Sequence, residues 1–78
     1  MKRNEMIYET ARFFMDNQKP VHIKFHDGKW LNGIIISVNQ DFKDRLVIQE
    51  EKFGEMLIFF ERIQDDGITE RMGVDKNG

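Results

Sequence analysis

The chain has 78 residues, a length that predicts one small domain. Its 12 basic and 14 acidic side chains give a net charge of −2, which argues against the basic surface on which general binding to nucleic acid usually depends. It contains no cysteine, which excludes disulfides and cysteine zinc sites. No stretch approaches the roughly 20 apolar residues of a membrane span, so we expect a cytoplasmic protein that does not bind membranes.

The first element predicted is an amphipathic helix over residues 4–18. Its apolar positions recur at helical spacing on one face and are Ile7, Ala11, Phe14 and Met15. Charged side chains lie largely on the opposite face, as expected of a surface helix. Asn4 is the expected N-cap, and Pro20 ends the segment because the residue before a proline avoids the helical conformation.

A hairpin follows the helix. Residues 21–25 alternate between apolar and polar side chains, which is the period of a half-buried strand. The Asp27-Gly28 pair comes next and predicts a two-residue type I′ turn, in which both central residues have a positive φ. The chain therefore returns as a second strand over residues 29–38.

The returning strand is apolar on both faces. One face carries Leu31, Gly33 and Ile35, and the other carries Trp30, Asn32, Ile34, Ile36 and Val38. A glycine inside a strand usually marks a bend or a bulge. Apolar residues on both faces indicate that the far face is covered too, either by the helix or by another chain.

The remaining segments are shorter. Residues 39–44 predict a polar loop with one aromatic side chain, and a strand starts again at Arg45. Residues 56–60 form a short apolar strand, and a weaker final strand follows within residues 61–72. We expect residues 73–78 to be a flexible tail.

Together these elements predict a mainly β fold. The N-terminal α-helix precedes a small, strongly bent, five-stranded antiparallel barrel of the SH3-like or Sm-like type over about residues 20–72. Residues 1–72 are expected to form this single domain.

The order of the signals resembles the Sm-like (LSm/Hfq) family. Members open with a helix, and their first motif joins alternating hydrophobic residues, an Asp-Gly turn, a glycine and aliphatic residues. The residues in that register here are Val21, Ile23, Phe25, Asp27, Gly28, Leu31, Gly33, Ile35 and Val38. The similarity covers about residues 4–64, but the second motif is divergent, since phenylalanines replace its basic residue and its glycine.

The resemblance implies a homo-oligomeric ring that binds single-stranded RNA and has an RNA chaperone-type role. In the family, the loop after the second strand and the turn after the fourth strand hold a base. The RNA-binding residues predicted on this basis are Asn39, Phe42, Lys43, Arg45 and Arg62. Phe42 would stack on a base, although it could equally be a loop anchor that covers the barrel mouth.

An interface with other copies is also expected. Phe59 and Phe60 point to opposite faces of their strand, so one of them cannot lie in the barrel interior. In Sm-like rings the fourth strand of one subunit pairs with the fifth strand of the next and buries such residues. The predicted oligomer or partner interface is Trp30, Ile34, Ile36, Phe59 and Phe60.

A second hypothesis remains open from the sequence. Because the second motif diverges, the chain could instead be an SH3-like or Sm-derived module that binds a partner protein and no RNA. An enzyme is not expected, since His26 lies beside Asp27 without a nucleophile. His22 and His26 lie about 13 Å apart along a strand, which is too far for them to share one metal ion. No cofactor or metal is predicted.

Overall fold

The computed structural model describes residues 2–72, and the predicted tail over 73–78 lies outside the described residues. The elements are α1 (Arg3–Asp16), β1 (Val21–Phe25), β2 (Trp30–Val38), β3 (Arg45–Glu50), β4 (Gly54–Phe59) and β5 (Ile63–Glu70), with a short 3₁₀ turn (Phe60–Arg62) between β4 and β5. No helix in this part of the chain is long and apolar enough to cross a membrane.

The strands form one antiparallel sheet in the order β4-β3-β2-β1-β5. The predicted fold class, a mainly β domain with an N-terminal helix and five antiparallel strands, is confirmed. The ladder does not close, because β4 and β5 lie at the two edges of the sheet. The Cα radius of gyration is only 11.9 Å, so the sheet is nevertheless compact.

Gly33 lies in the middle of β2, where it pairs with Val21 of β1 and Glu50 of β3. A Cβ atom at this position would lie 2.9 Å from the carbonyl carbon of Gln49 and 3.0 Å from the Cα of Glu50. The backbones of β2 and β3 therefore approach more closely than any side chain allows. This contact is the physical reason for a glycine inside the strand.

A bulge follows within β2. The pairing with β3 shifts between Ile35 and Ser37, so Ile36 falls outside the regular register. The shift exchanges the two faces of the strand, because side chains alternate with a period of two. Val38 is consequently buried on the same face as Ile35, and the prediction that it shares the face of Trp30 was wrong.

The turn between β1 and β2 also differs from the predicted type I′ turn. The N–H of Phe25 donates to the carbonyl of Lys29 at 2.8 Å, and the N–H of Gly28 donates to the carbonyl of Phe25 at 3.1 Å. Only Gly28 of the Asp-Gly pair has a positive φ, of 87°. This is a three-residue loop in which the glycine takes the left-handed position of a bulge.

Helix α1 begins at Arg3, so Asn4 lies in its first turn and the predicted N-cap was wrong. The Arg3 guanidinium donates to the carbonyls of Phe60, at 3.1 Å, and of Ile63, and its Nε lies 2.7 Å from Asp65. The start of the helix is thereby attached to the turn between β4 and β5. This contact is tertiary and leaves no local signal in the sequence.

One core joins the helix to the concave face of the sheet. It contains Ile7, Ala11, Val21, Ile23, Phe25, Leu31, Ile35, Val38, Leu46, Ile48, Ile58, Phe60, Ile63 and Ile68. Phe60 has no exposed surface, and it is the bulkiest of the fully buried side chains. The turn between β4 and β5 therefore contributes to the core.

Candidate functional site

The loop between β2 and β3 is held by its own hydrogen bonds. The side-chain oxygen of Asn39 accepts from the N–H of Phe42 at 2.7 Å, and the N–H of Asn39 donates to the carbonyl of Arg45 at 3.0 Å. Side-chain to backbone bonds of this kind are typical of ordered turns. They hold the Phe42 ring outward, where it is 72% exposed.

Arg45 lies between two aromatic rings. Its guanidinium carbon is 5.4 Å from the ring centre of Phe42 and 5.6 Å from that of Phe59. Arg45 and Phe59 are direct partners in the β3–β4 register and thus share the outer face of the sheet. We call these three side chains the Phe42 stack. Cation–π contacts of this type contribute about 0.5–1 kcal/mol each at exposed sites.

The loop is also joined to the turn after β4. The N–H of Phe60 donates to the carbonyl of Asp44 at 2.8 Å, while the Asp44 carboxylate accepts from Arg45 Nε at 2.9 Å. Asn4 and Glu61 line a shallow depression beside Phe59. The stack thus has acidic neighbours on the side of the turn, so an anionic ligand would have to approach it from the loop.

Lys43 extends the surface towards the helix. Its φ is 51°, and its Nζ lies 5.0 Å from the ring centre of Tyr8. The hydroxyl of Tyr8 accepts from Arg12 at 2.8 Å. That hydrogen bond, together with the charge of Asp16, raises the pKa of Arg12 above its ordinary value. Two cations therefore flank Tyr8.

Tyr8 and Arg12 were absent from the predicted site. Their spacing of four residues is the one signal that places them on the same face of a helix. That spacing says nothing about Lys43, which approaches Tyr8 only once the loop has folded over α1.

Four of the five predicted RNA-binding residues belong to this region, namely Asn39, Phe42, Lys43 and Arg45. Arg62 does not join them. Its guanidinium carbon lies 4.9 Å from the ring centre of Phe25, and its carbonyl accepts from the N–H of His26 at 2.9 Å. Arg62 is thus beside the turn between β1 and β2.

The predicted interface residues also separate. Phe60 is completely buried in the core of its own chain, so its assignment to an interface was wrong. The others keep exposed surface and are Trp30, Ile34, Ile36 and Phe59. Leu57, which is 52% exposed on the same face of β4 as Phe59, was missed although the alternation of the strand predicts it.

Of the two histidines, His22 lies in β1 and His26 directly follows it. Nδ1 of His22 lies 2.7 Å from the side-chain oxygen of Asn32, and its ring centre is 5.3 Å from that of Trp30. His26 lies in the exposed turn before β2. Within residues 2–72, no three histidine or acidic side chains come close enough together to hold a metal ion.

The chain matches no known family model, and no curated protein resembles it significantly.

Proposed function

We propose that this chain is a cytoplasmic Sm-like protein that forms a homo-oligomeric ring and binds single-stranded RNA. The sheet order supports the assembly, because β4 and β5 are the two edge strands and these are the strands that pair between subunits in Sm-like rings. An unpaired strand edge exposes backbone donors and acceptors that another strand can satisfy. Pairing β4 with β5 of the next copy repeats one contact until the ring closes.

The outer face of β4 supports the same assembly. Leu57 is 52% exposed and Phe59 is 39% exposed on a strand that already lies at the edge of the sheet. Burying such side chains contributes roughly 25 cal/mol for each Å² of apolar surface removed from water. A neighbour that pairs along β4 would cover part of this surface.

The single observation that carries the RNA proposal is the Phe42 stack. Single-stranded RNA is commonly recognised by aromatic rings that stack on unpaired bases, with arginines nearby. Phe42 offers an exposed ring, while Lys43 and Arg45, which follow it in the chain, supply positive charge. These cations supply local positive charge although the chain has a net charge of −2.

The assembly is tested by the solution mass. Light scattering after size exclusion should give several times the 9.4 kDa of one chain. Leu57→Lys should shift the protein towards the monomer, since a lysine on an edge strand opposes strand pairing. Phe13→Lys is the matched control, because Phe13 is similarly exposed at 55% but lies on α1. A monomeric mass for the unmodified chain would contradict the ring.

RNA binding is tested by fluorescence anisotropy with short U-rich and A-rich RNAs at low salt. Phe42→Ala should weaken binding about 5- to 150-fold, since base stacking contributes about 1–3 kcal/mol per base. Phe53→Ala is the matched control, because Phe53 is 81% exposed in a different turn. Absence of binding by the unmodified protein at tens of micromolar would refute the RNA proposal.

The second candidate is a protein-interaction module that binds no RNA. The exposed apolar side chains of Ile34 and Ile36 favour it, because they line a depression together with Met15 of α1 and Gln18, which follows the helix. A purified partner whose binding survives nuclease treatment and is lost on Ile36→Lys would favour this module. A nuclease-sensitive association would favour RNA.

A further inference from the structure

A second surface lies where the β1–β2 turn meets the beginning of β4. It is a cleft of about 210 Å³. Aromatic rings of Phe25, Trp30 and Phe53 line it, and the cations Lys29 and Arg62 stand beside them. We call it the Trp30 cleft. None of these residues belongs to the Phe42 stack.

Two of the three rings are exposed and do not belong to the hydrophobic core. Phe25 is buried and forms the inner wall, whereas Trp30 is 60% exposed and Phe53 is 81% exposed. Glu50 Oε1 accepts from the N–H of Phe53 at 2.7 Å, which fixes the turn that presents the Phe53 ring. Exposed rings of this kind can make geometrically specific contacts with one large apolar side chain.

The charge of the cleft is positive although the chain is acidic overall. The Arg62 guanidinium lies 4.9 Å from the ring centre of Phe25, and Lys29 lies at the start of β2. Glu50 is the one acidic side chain in the lining. It is 9% exposed, and its Oε1 also accepts from the N–H of Lys52 at 2.7 Å, so its carboxylate is directed into the turn.

We propose that the Trp30 cleft binds an acidic peptide segment of a partner protein. One apolar side chain of the segment packs between Trp30 and Phe53, and flanking carboxylates meet Lys29 and Arg62. Charge complementarity of this kind sets the specificity of a contact. The proposal goes beyond RNA binding and does not depend on it, since no residue of the cleft lies in the β2–β3 loop.

The chemistry of the lining favours a peptide over a nucleobase. The side chains that line the cleft offer hydrogen-bond donors, namely the indole of Trp30 and the two cations. Glu50 Oε1 is occupied by the N–H groups of Lys52 and Phe53, so donors outnumber acceptors in the lining. A base presents both donors and acceptors on its edges, whereas a peptide carboxylate needs only donors.

The only tryptophan of the chain lies in this cleft, so its fluorescence reports occupancy directly. The probe is the acetylated and amidated peptide EDFDE, titrated into the intact protein. We expect a saturable change in tryptophan emission. The neutral peptide QNFNQ should bind about fivefold more weakly, as expected for the loss of exposed ion pairs. The peptide EDADE, which lacks the apolar anchor, should bind about tenfold more weakly than EDFDE.

Variants then locate the contact. Phe53→Ala should weaken EDFDE binding about tenfold and should fold normally because Phe53 is exposed. Lys29→Gln should weaken it about two- to fivefold. Lys19→Gln is the matched control with the same change of charge, because Lys19 precedes β1 and pairs with Glu70 at 3.7 Å. Its affinity for EDFDE should equal that of the unmodified protein.

Three outcomes would overturn the proposal. The first is an unchanged tryptophan emission at about 1 mM EDFDE, the weakest affinity expected of a specific contact. The second is equal binding of EDFDE and QNFNQ. The third is displacement of EDFDE by a U-rich RNA, which would make the cleft a nucleic-acid site. Phe42→Ala should leave EDFDE binding unchanged, so a failure of the RNA proposal is distinguishable from a failure of this one.

Discussion

The close contact between β2 and β3 at Gly33 is open to a direct test by Gly33→Ala. The added Cβ would lie 2.9 Å from the carbonyl carbon of Gln49 and 3.0 Å from the Cα of Glu50. Both neighbours are backbone atoms of β3, so they cannot move aside as a flexible side chain would. The methyl group can be accommodated only if β2 and β3 separate, which weakens their hydrogen bonds.

Overpacking typically costs about 1–3 kcal/mol of the free energy of unfolding, and rigid backbone neighbours favour the upper part of that range, about 2–3 kcal/mol. Alanine regains about 0.4–1 kcal/mol because it restricts the unfolded chain more than glycine does. The expected net cost is therefore about 1–2.6 kcal/mol. A domain of this size has a total of about 4–12 kcal/mol, so Gly33→Ala should remove a large share of the stability.

Thermal unfolding followed by circular dichroism measures this effect. One kcal/mol lowers the melting temperature of such a domain by about 4–8 °C, so Gly33→Ala should melt about 4–21 °C lower. A melting temperature within about 2 °C of the unmodified protein would refute the argument for a close contact between β2 and β3.

Gly28→Ala is the informative control, because it separates steric from conformational causes. Its Cβ would meet nothing within 4 Å, but its φ is 87°. Its cost, about 1–2 kcal/mol, is therefore conformational. Gly28→Asn should recover part of this loss, since asparagine tolerates positive φ. Gly33→Asn should recover nothing, because the contact at Gly33 is steric.

Five further substitutions test three other features of the fold by urea unfolding. Gln18→Gly should raise the free energy of unfolding by about 0.5–1 kcal/mol, because Gln18 has a φ of 53° at the end of α1 and glycine is unstrained there. A lower free energy of unfolding would contradict the left-handed conformation. Phe60→Ala should cost about 3–5 kcal/mol. Phe59→Ala should cost clearly less, since only Phe60 of the two is fully buried. Equal losses would contradict the placement of the two rings. Arg3→Met should cost about 1–3 kcal/mol because two carbonyls lose a donor, whereas Asp65→Asn should cost at most about 1 kcal/mol as a surface ion pair.

Local patterns predicted most of the fold. The 3.6-residue period of the helix, the alternation over residues 21–25 and the Asp27-Gly28 pair were sufficient for the helix and the first hairpin. The bulge at Ile36 was not predictable, because a shift of register depends on the partner strand. The burial of Phe60 was not predictable for a similar reason. Alternation shows that Phe59 and Phe60 face opposite ways, but only the turn after β4 determines which ring enters the core.

The candidate site was predicted in part. Residues of one loop, such as Phe42 and Arg45, are close in sequence and could be grouped before the fold was known. Tyr8 could not, because it reaches Lys43 only through packing of the helix against the loop. Arg62 was assigned to the same site because it follows the fourth strand, where the family has the turn that helps to hold a base. The structure instead places it at the turn between β1 and β2, where the bent sheet brings the start of β5 beside the end of β1.

The two exposed phenylalanines make the two binding proposals separable. Phe42 precedes β3 and Phe53 follows it, and a six-residue strand spans about 20 Å. No single stacked base or anchor side chain can contact both rings over that distance. Phe42→Ala should therefore affect RNA alone and Phe53→Ala the acidic peptide alone. If each variant lost both ligands equally, a change in folding or assembly would explain the result better than direct contact, and both surfaces would lose their support.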